Sequence, residues 1–252
     1  MAAARSAFAA DLAVRSAPPA YPAAPPAYSA YDWGGAYIGG VIGDAWGETD
    51  SSDPNFGVLG ARVGVPVVQP TFSGGFIGGV EGGMRYQLGK LVVGTEADIT
   101  WGSVNGASTT NWVPLGILSR SISADTNWIA TATSSIGIAH NNWLIYTKAG
   151  VAYAHTNYTD NWVGGGIPLF TGADSENRVG WTVGAGVEWA FWNNWSVKAE
   201  YEYLDFGNKT VAINGTVLPG IVNFPASFGM ENAQHINQFK AGLNWRILPN
   251  FW

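Results

Sequence analysis

Histidines, hydroxyl groups and carboxylates are the side chains here that could perform acid–base or nucleophilic chemistry. A serine nucleophile needs a nearby base and an acid that orients the base. The residues that could supply such a set are scattered over the second half of the chain: His140, His155, Asp160, Ser175, Ser227 and His235. His140 falls at a predicted tight turn, whereas His155 and His235 fall near the opposite rim, with Asp160, Ser175 and Ser227 in the predicted loops. This arrangement favours solvated histidines at the rims. We therefore predict no enzymatic activity.

Metal and phosphate chemistry find equally little support. His155 and His235 could bind a metal weakly, but no third ligand accompanies them at a suitable spacing. The chain has no Cys, which excludes disulfides and thiolate zinc sites. The glycine-rich tract at 74–79 lacks the Lys-Ser/Thr that a phosphate loop requires. We expect no metal and no cofactor.

Composition narrows the class of protein. The 12 Lys+Arg against 18 Asp+Glu give a net charge of −6, which offers nucleic acid no electrostatic footprint. Hydrophobic residues make up 47%, too many for a disordered chain. No apolar run approaches the roughly 18 residues of a spanning helix. The 34 glycines and 13 tryptophans are unusual for a soluble domain. The remaining possibility is a fold of β-strands, and the question is whether those strands face water or lipid.

Alternation of apolar and small or polar residues runs through the chain. It is clearest at 179–189, where every odd position is apolar and the even positions are Gly, Thr or Glu. Eight strands are predicted near 35–46, 72–87, 90–101, 127–139, 143–156, 178–191, 195–206 and 234–247. Each is long enough for a tilted strand that crosses a bilayer, which needs about 9–11 residues.

The predicted connections alternate between short and long. Tight turns fall near 88–89, 141–142 and 193–194, whereas the connections at 47–71, 102–126, 157–177 and 207–233 are long. This asymmetry is typical of transmembrane β-barrels. The sequence therefore predicts an all-β fold: an eight-stranded antiparallel up-and-down transmembrane β-barrel with short periplasmic turns and four long outer loops.

The N-terminal region differs in composition from the rest. Ala-Phe-Ala at 7–9 fits a signal-peptidase site, so residues 1–9 are interpreted as the remnant of a signal peptide. A small-residue N-terminus without a targeting role is the alternative. Residues 10–32 are predicted to be a Pro/Ala-rich periplasmic linker, and residues 33–252 the barrel.

Charged residues share the face opposite the apolar one. We predict a lumen charge network of Glu81, Arg85, Glu96, Asp98, Lys148, Glu188, Lys198, Glu200, Glu202, Lys240 and Arg246. The lumen of eight strands is just wide enough for its own side chains. That favours a closed network of paired charges over a narrow ion path. A solvated charged face on a soluble barrel is the third reading.

Aromatic residues cluster at both strand ends, as in the two interfacial belts of membrane barrels. The predicted belt at the tight-turn end is Trp33, Tyr37, Tyr86, Trp143, Phe191, Trp192, Trp195 and Trp245. The predicted belt at the long-loop end is Trp46, Phe72, Trp101, Trp128, Tyr153, Trp181, Tyr203 and Phe206.

Several tracts resemble the small outer-membrane barrels of alphaproteobacteria, the outer-membrane immunogenic or porin-family proteins. These tracts are WGGAYIGG at 33–40, GTEADI at 94–99, GWTVGAGVEWA at 180–190 and NWSVKAEYEYLDFG at 194–207. The resemblance covers roughly residues 10–247 and implies an eight-stranded barrel in the bacterial outer membrane, without known enzymatic chemistry. This chain departs from it at Thr133 and Ser135, where such proteins usually carry inward arginines.

The last predicted strand resembles the assembly signal of outer-membrane barrels. Its residues are Lys240, Gly242, Trp245 and Ile247. Pro249 follows and cannot donate a ladder hydrogen bond, so we expect the strand to end before it.

We expect an integral outer-membrane barrel with a role in envelope integrity and a surface-exposed part. A small porin for ions or very small solutes is the first alternative, and surface recognition as an adhesin or phage receptor is the second. The expected partners are outer-membrane lipid, lipopolysaccharide and the barrel-assembly machinery. Peptidoglycan and host or phage surface molecules are further candidates. We expect no nucleic acid, and a monomer.

Overall fold

Eight strands account for most of the chain in this computed structural model, which describes residues 31–52, 74–112, 118–221 and 223–248. The strands are β1 (Gly35–Ser52), β2 (Gly75–Leu88), β3 (Leu91–Trp112), β4 (Leu118–His140), β5 (Trp143–Gly164), β6 (Ile167–Trp192), β7 (Trp195–Val217) and β8 (Phe224–Leu248). Each pairs antiparallel with the next, and β8 pairs with β1, so the sheet closes. The predicted eight-stranded up-and-down barrel is confirmed. Within those four segments no helix is long and apolar enough to cross a membrane.

Some predictions fall outside these residues. They are the signal-peptide remnant at 1–9, the linker up to residue 30, the belt residue Phe72 and the tail from Pro249 onward.

Tight turns at 89–90, 141–142 and 193–194 join the strands at one end of the barrel. Gly89 and Asn141 have φ values of 62° and 53°. This left-handed backbone region is the one that glycine and asparagine tolerate best. The three predicted tight turns are thus confirmed to within one residue.

The strands run much further at the other end than their sequence suggests. The predictions of long loops at 102–126, 157–177 and 207–233 were wrong, because most of these residues continue the strands. We call these continuations the outer extension: 102–112, 118–126, 157–164, 167–177, 207–217 and 224–233. In the fourth predicted loop, β1 continues to Ser52, and residues 53–73 lie outside the part of the chain that the structure describes.

The apolar face of the wall changes sides along the strands. At the level of the predicted membrane the outward residues are apolar, and Ile145 and Val151 are 67% and 58% exposed. In the outer extension Ile122 and Phe170 instead point inward and are buried, whereas the paired Ser123 and Thr159 point outward. A wall surrounded by lipid needs apolar residues outside, whereas a wall surrounded by water needs them inside. The change therefore places the outer boundary of the membrane at the base of the extension.

Two apolar groups occupy the interior on either side of the charged residues. The turn-side apolar group is Trp33, Val92, Ala139, Leu144, Tyr146 and Ala190. The outer apolar group is Ala45, Ile77, Val104, Ile122, Ala124, Ile129, Ala152, Ala154, Tyr158, Phe170, Leu204, Phe206, Ile213 and Ile236.

One seam in the barrel wall lacks a continuous ladder. Between β6 and β7 the pairing stops after Gly172 and resumes at Trp181, opposite Gly215 and Asp205 respectively. Elsewhere in the described barrel an interruption skips at most two residues of a strand. An ion pair between Lys209 and Glu176 crosses the seam.

We expect the seam to be the least protected part of the extension, because its facing backbone groups lack ladder partners. In hydrogen–deuterium exchange of the barrel in lipid vesicles, amides at 173–179 and 207–214 that face the seam should exchange fastest. The internal control is the continuous β4–β5 ladder that pairs 119–124 with 158–163 and lies in the same solvent. Equal protection at the two places would contradict an open seam.

Candidate functional site

Eight charged side chains fill the barrel between the two apolar groups. We call them the lumen network: Glu81, Glu96, Asp98, Lys148, Lys198, Glu200, Glu202 and Lys240. None is more than 6% exposed. Period-two spacing places them on one face of their strands, as for Lys198, Glu200 and Glu202 on β7. The register then sets Glu200 directly opposite Lys240 on β8.

Each lysine of the lumen network contacts three carboxylates. Lys148 Nζ lies 2.9 Å from Glu96, 2.6 Å from Glu200 and 2.6 Å from Glu202. Lys198 Nζ lies 2.6 Å from Glu81, 3.0 Å from Glu96 and 3.3 Å from Glu200. Lys240 Nζ lies 3.2 Å from Asp98, 3.3 Å from Glu200 and 2.5 Å from Glu202.

Glu200 is the centre of the lumen network, because it alone among these carboxylates contacts all three lysines. Hydroxyl groups donate further hydrogen bonds to the carboxylates of the lumen network. The Tyr146 hydroxyl donates to Glu200 Oε2 at 2.7 Å, and the Tyr37 hydroxyl donates to Glu96 Oε2 at 2.6 Å. The Thr131 hydroxyl donates to Asp98. Buried charges are tolerated when they are paired and hydrogen-bonded in this way.

A separate ion pair lies on the turn side of the lumen network. Arg85 Nη2 is 2.7 Å from Glu188 Oε2, and its guanidinium lies 4.2 Å from the centre of the Tyr37 ring. Glu188 also accepts hydrogen bonds from Ser196 and Asn244.

Ten of the eleven predicted lumen residues thus lie together inside the barrel. At its tight-turn mouth, Arg246 lines the same small cavity as Arg85 and Glu188. Its guanidinium is 4.7 Å from the centre of the Tyr31 ring and donates to the carbonyl of Asp32. It sits at the tight-turn end, where its partners include the Asn194 side chain. Arg246 therefore fastens the segment before β1 to the last strand.

Glycines give the long charged side chains their room. A Cβ on Gly242 would lie 3.0 Å from Lys198 Cγ, and a Cβ on Gly186 would lie 2.6 Å from the Tyr146 ring. The predicted assembly signal is divided between the two faces of β8. Lys240 and Gly242 point inward, whereas Trp245 and Ile247 are exposed on the outer wall.

Three aromatic residues were assigned to the belts wrongly. Trp33, Tyr37 and Phe206 are buried inside the barrel, at 3%, 6% and 6% exposure. Tyr37 has the inward phase of β1 and hydrogen-bonds Glu96. Phe206 follows Asp205, where β7 has an irregular register with β8, and joins the outer apolar group.

Two of the three histidines have ordinary partners on the outer wall, and His140 is exposed at the end of β4. His155 Nδ1 lies 2.7 Å from Asn177 Oδ1, and His235 Nδ1 lies 2.9 Å from the Tyr203 hydroxyl. Asp160 pairs with Arg120 at 2.7 Å and so does not orient either histidine. In the part of the chain that the structure describes, no three His, Asp or Glu residues are placed to hold a metal ion. The side chain of Ser227 falls outside that part.

Sequence reasoning missed the polar interior of the outer extension. Arg120 and Asp160 point inward there, and Arg178 points inward at the base of the extension. The Arg120 guanidinium also lies 4.9 Å from the centre of the Trp162 ring. The same period-two alternation continues through these residues. It would have identified Arg120 and Asp160 if the strands had been extended beyond the membrane, whereas Arg178 is already the first residue of the strand predicted at 178–191.

Comparisons with known proteins agree with this architecture. The family described as outer membrane protein beta-barrel domain matches residues 15–246. The 31 kDa outer-membrane immunogenic protein of Brucella melitensis is 33% identical over 228 residues, 88% of this chain and 90% of that protein. The 25 kDa outer-membrane immunogenic protein of Brucella abortus is 28% identical over 219 residues, 84% of this chain and 83% of that protein.

A solved structure supports the fold. The outer membrane protein OprG from Pseudomonas aeruginosa superposes with a TM-score of 0.51 at 13% identity, covering 86% of this chain and 98% of that one. At that identity the likeness concerns the fold alone. The family match, by contrast, spans most of the chain. The chain therefore belongs to the outer membrane protein β-barrel family, and it is a β-barrel of the bacterial outer membrane.

Proposed function

We propose that this protein is a closed, non-enzymatic barrel that strengthens the envelope and holds the outer extension at the cell surface. The observation that carries the proposal is the filled lumen. Ion-paired side chains occupy its middle, and apolar groups occupy both sides of them.

Closure follows from the order of these layers. An ion path needs a polar lining along its whole length, because an ion that enters an apolar stretch loses its hydration. The outer apolar group places Leu204 and Ile236 above the lumen network, and each is at most 1% exposed. Each lysine is held by three carboxylates, so these side chains are not positioned to transfer an ion from one site to the next. A small porin is therefore the weaker reading.

The outer surface supports a structural and surface-exposed role. Apolar outward residues would contact outer-membrane lipid and lipopolysaccharide, and β8 would present Trp245 and Ile247 to the barrel-assembly machinery. The immunogenic character in the relatives' names fits exposure of the outer extension. Peptidoglycan and host or phage surface molecules remain proposed partners, and the barrel is proposed to act as a monomer.

Conductance distinguishes a closed barrel from a porin. Refolded protein in a planar lipid bilayer should be electrically silent, while protease resistance shows that it has folded. Steady openings would contradict the proposal. If those openings vanished in a Gly186→Leu variant that is still protease-resistant, and whose side chain must push the Tyr146 ring aside, the protein would be a porin.

Removing the central carboxylate should weaken the fold. Glu200→Gln leaves three buried lysines short of a partner, and breaking a buried pair typically costs about 3–5 kcal/mol. The check is urea unfolding in vesicles. The matched control is Asp125→Asn in the outer extension, which should change the unfolding free energy by no more than about 0.5 kcal/mol. Equal effects of the two variants would count against a structural lumen network.

Two lysines test which end faces outward. Lys209 lies in the outer extension with its side chain 53% exposed, and Lys90 lies in an exposed tight turn. A membrane-impermeant amine reagent applied to intact cells should modify Lys209 and spare Lys90. Lysed cells should show both modified. Labelling of Lys90 alone on intact cells would reverse the proposed orientation.

A further inference from the structure

The lumen network holds more negative than positive charge. Its five carboxylates face three ammonium groups, a formal balance of −2. The Arg85–Glu188 pair adds one charge of each sign and leaves that balance unchanged. Arg120 and Asp160 lie in the outer extension and Arg178 lies at its base, beyond Leu204 and Ile236 of the outer apolar group. Arg246 lies at the tight-turn mouth, where it is partly exposed to solvent.

A buried excess of two charges is energetically unfavourable. Water screens charges at the surface, but every member of the lumen network is almost completely buried. Under such conditions carboxyl groups neutralise themselves by keeping protons, and neighbouring carboxylates share them. The excess therefore points to protons inside the closed lumen.

The carboxylates differ in the number of lysines that balance their negative charge. Glu96 and Glu202 contact two lysines each, and Glu200 contacts three. Glu81 and Asp98 contact one lysine each. Asp98 also receives a hydrogen bond from the Thr131 hydroxyl.

Glu81 is the least compensated carboxylate. Within the sheet, the register of β2 places Glu81 opposite Gly39 of β1, which has no charge, and opposite Asp98 of β3. Like charges directly opposite each other on paired strands destabilise a sheet. Its lysine, Lys198 of β7, is shared with Glu96 and Glu200.

We infer that the closed lumen is a proton-binding site and that Glu81 holds a proton there at neutral pH. The inference rests on the closed barrel proposed above. A carboxyl group that keeps its proton in the folded protein but loses it on unfolding stabilises the fold at low pH. That stabilisation is lost as the pH rises, so the barrel should loosen under alkaline conditions.

Infrared spectroscopy of the refolded barrel in vesicles tests the inference directly. At pH 7 the wild-type protein should show the carbonyl band of protonated carboxylic acids. Glu81→Gln should weaken that band, because it removes the protonated carboxyl group, whereas Asp125→Asn should leave it unchanged. A wild-type spectrum without the band would overturn the proposal, and this measurement does not depend on any variant folding.

Urea midpoints give a second, independent readout. Glu81→Gln should match or exceed the wild-type midpoint at pH 7, and its advantage should grow towards pH 9. Glu200→Gln should lower the midpoint at both values. If Glu81→Gln lowered it as much as Glu200→Gln does, Glu81 would be an ionised partner of Lys198, and the inference would fail.

Bound cations, instead of protons, could also neutralise the excess negative charge of the lumen network. Unfolding is therefore compared in potassium chloride and in choline chloride, whose cation is too large for a filled lumen. A midpoint that depends on this exchange would show bound cations instead of protons and would overturn the inference. A barrel that conducts yet keeps the carboxylic acid band would overturn the closed-barrel proposal and leave the protonation of Glu81 standing.

Discussion

Charge compensation inside a wall that faces lipid is the constraint on which the rest of this structure depends. The hydrocarbon around the barrel offers no counter-ions or hydrogen bonds, so each inward charge must find its partners across the lumen. Three lysines and five carboxylates from five strands meet this requirement. Glycines at positions such as 242 leave space for the long side chains to cross the barrel. The register of the strands is thereby fixed from within, because a slip of one residue would turn these charges outward.

The solvent around the wall decides what fills it. A single alternating pattern runs along β5, but Lys148 lies inside the wall at one level and Tyr158 at another. The strand keeps its phase, and only the composition of the two faces is exchanged. The barrel thus combines the architecture of a membrane protein with that of a water-soluble one in the same eight strands. The outer apolar group supplies a conventional hydrophobic core where the lipid ends.

Much of this could be predicted from the sequence, because a period of two is visible without any knowledge of partners. It assigned the lumen residues on β2, β3, β5, β7 and β8 and the number and order of the strands. The period-two pattern could not predict contacts across the barrel, since Glu96 and Lys198 are 102 positions apart in the sequence. Tyr37 was misplaced because a tyrosine suits either an interfacial belt or a carboxylate partner. The outer extension was missed because its Ser, Thr and Asn residues have the composition of loops.

The outer extension also bears on how a cell-surface protein can change. A flexible loop tolerates substitution at almost every position, but here every second residue of a surface strand is part of a packed interior. Substitutions that leave the packed interior intact are therefore confined to alternate positions, such as those of Ser123 and Thr159. Side chains that face outward from neighbouring strands come from distant parts of the chain. Antibodies against this surface would accordingly recognise discontinuous epitopes that short linear peptides do not reproduce.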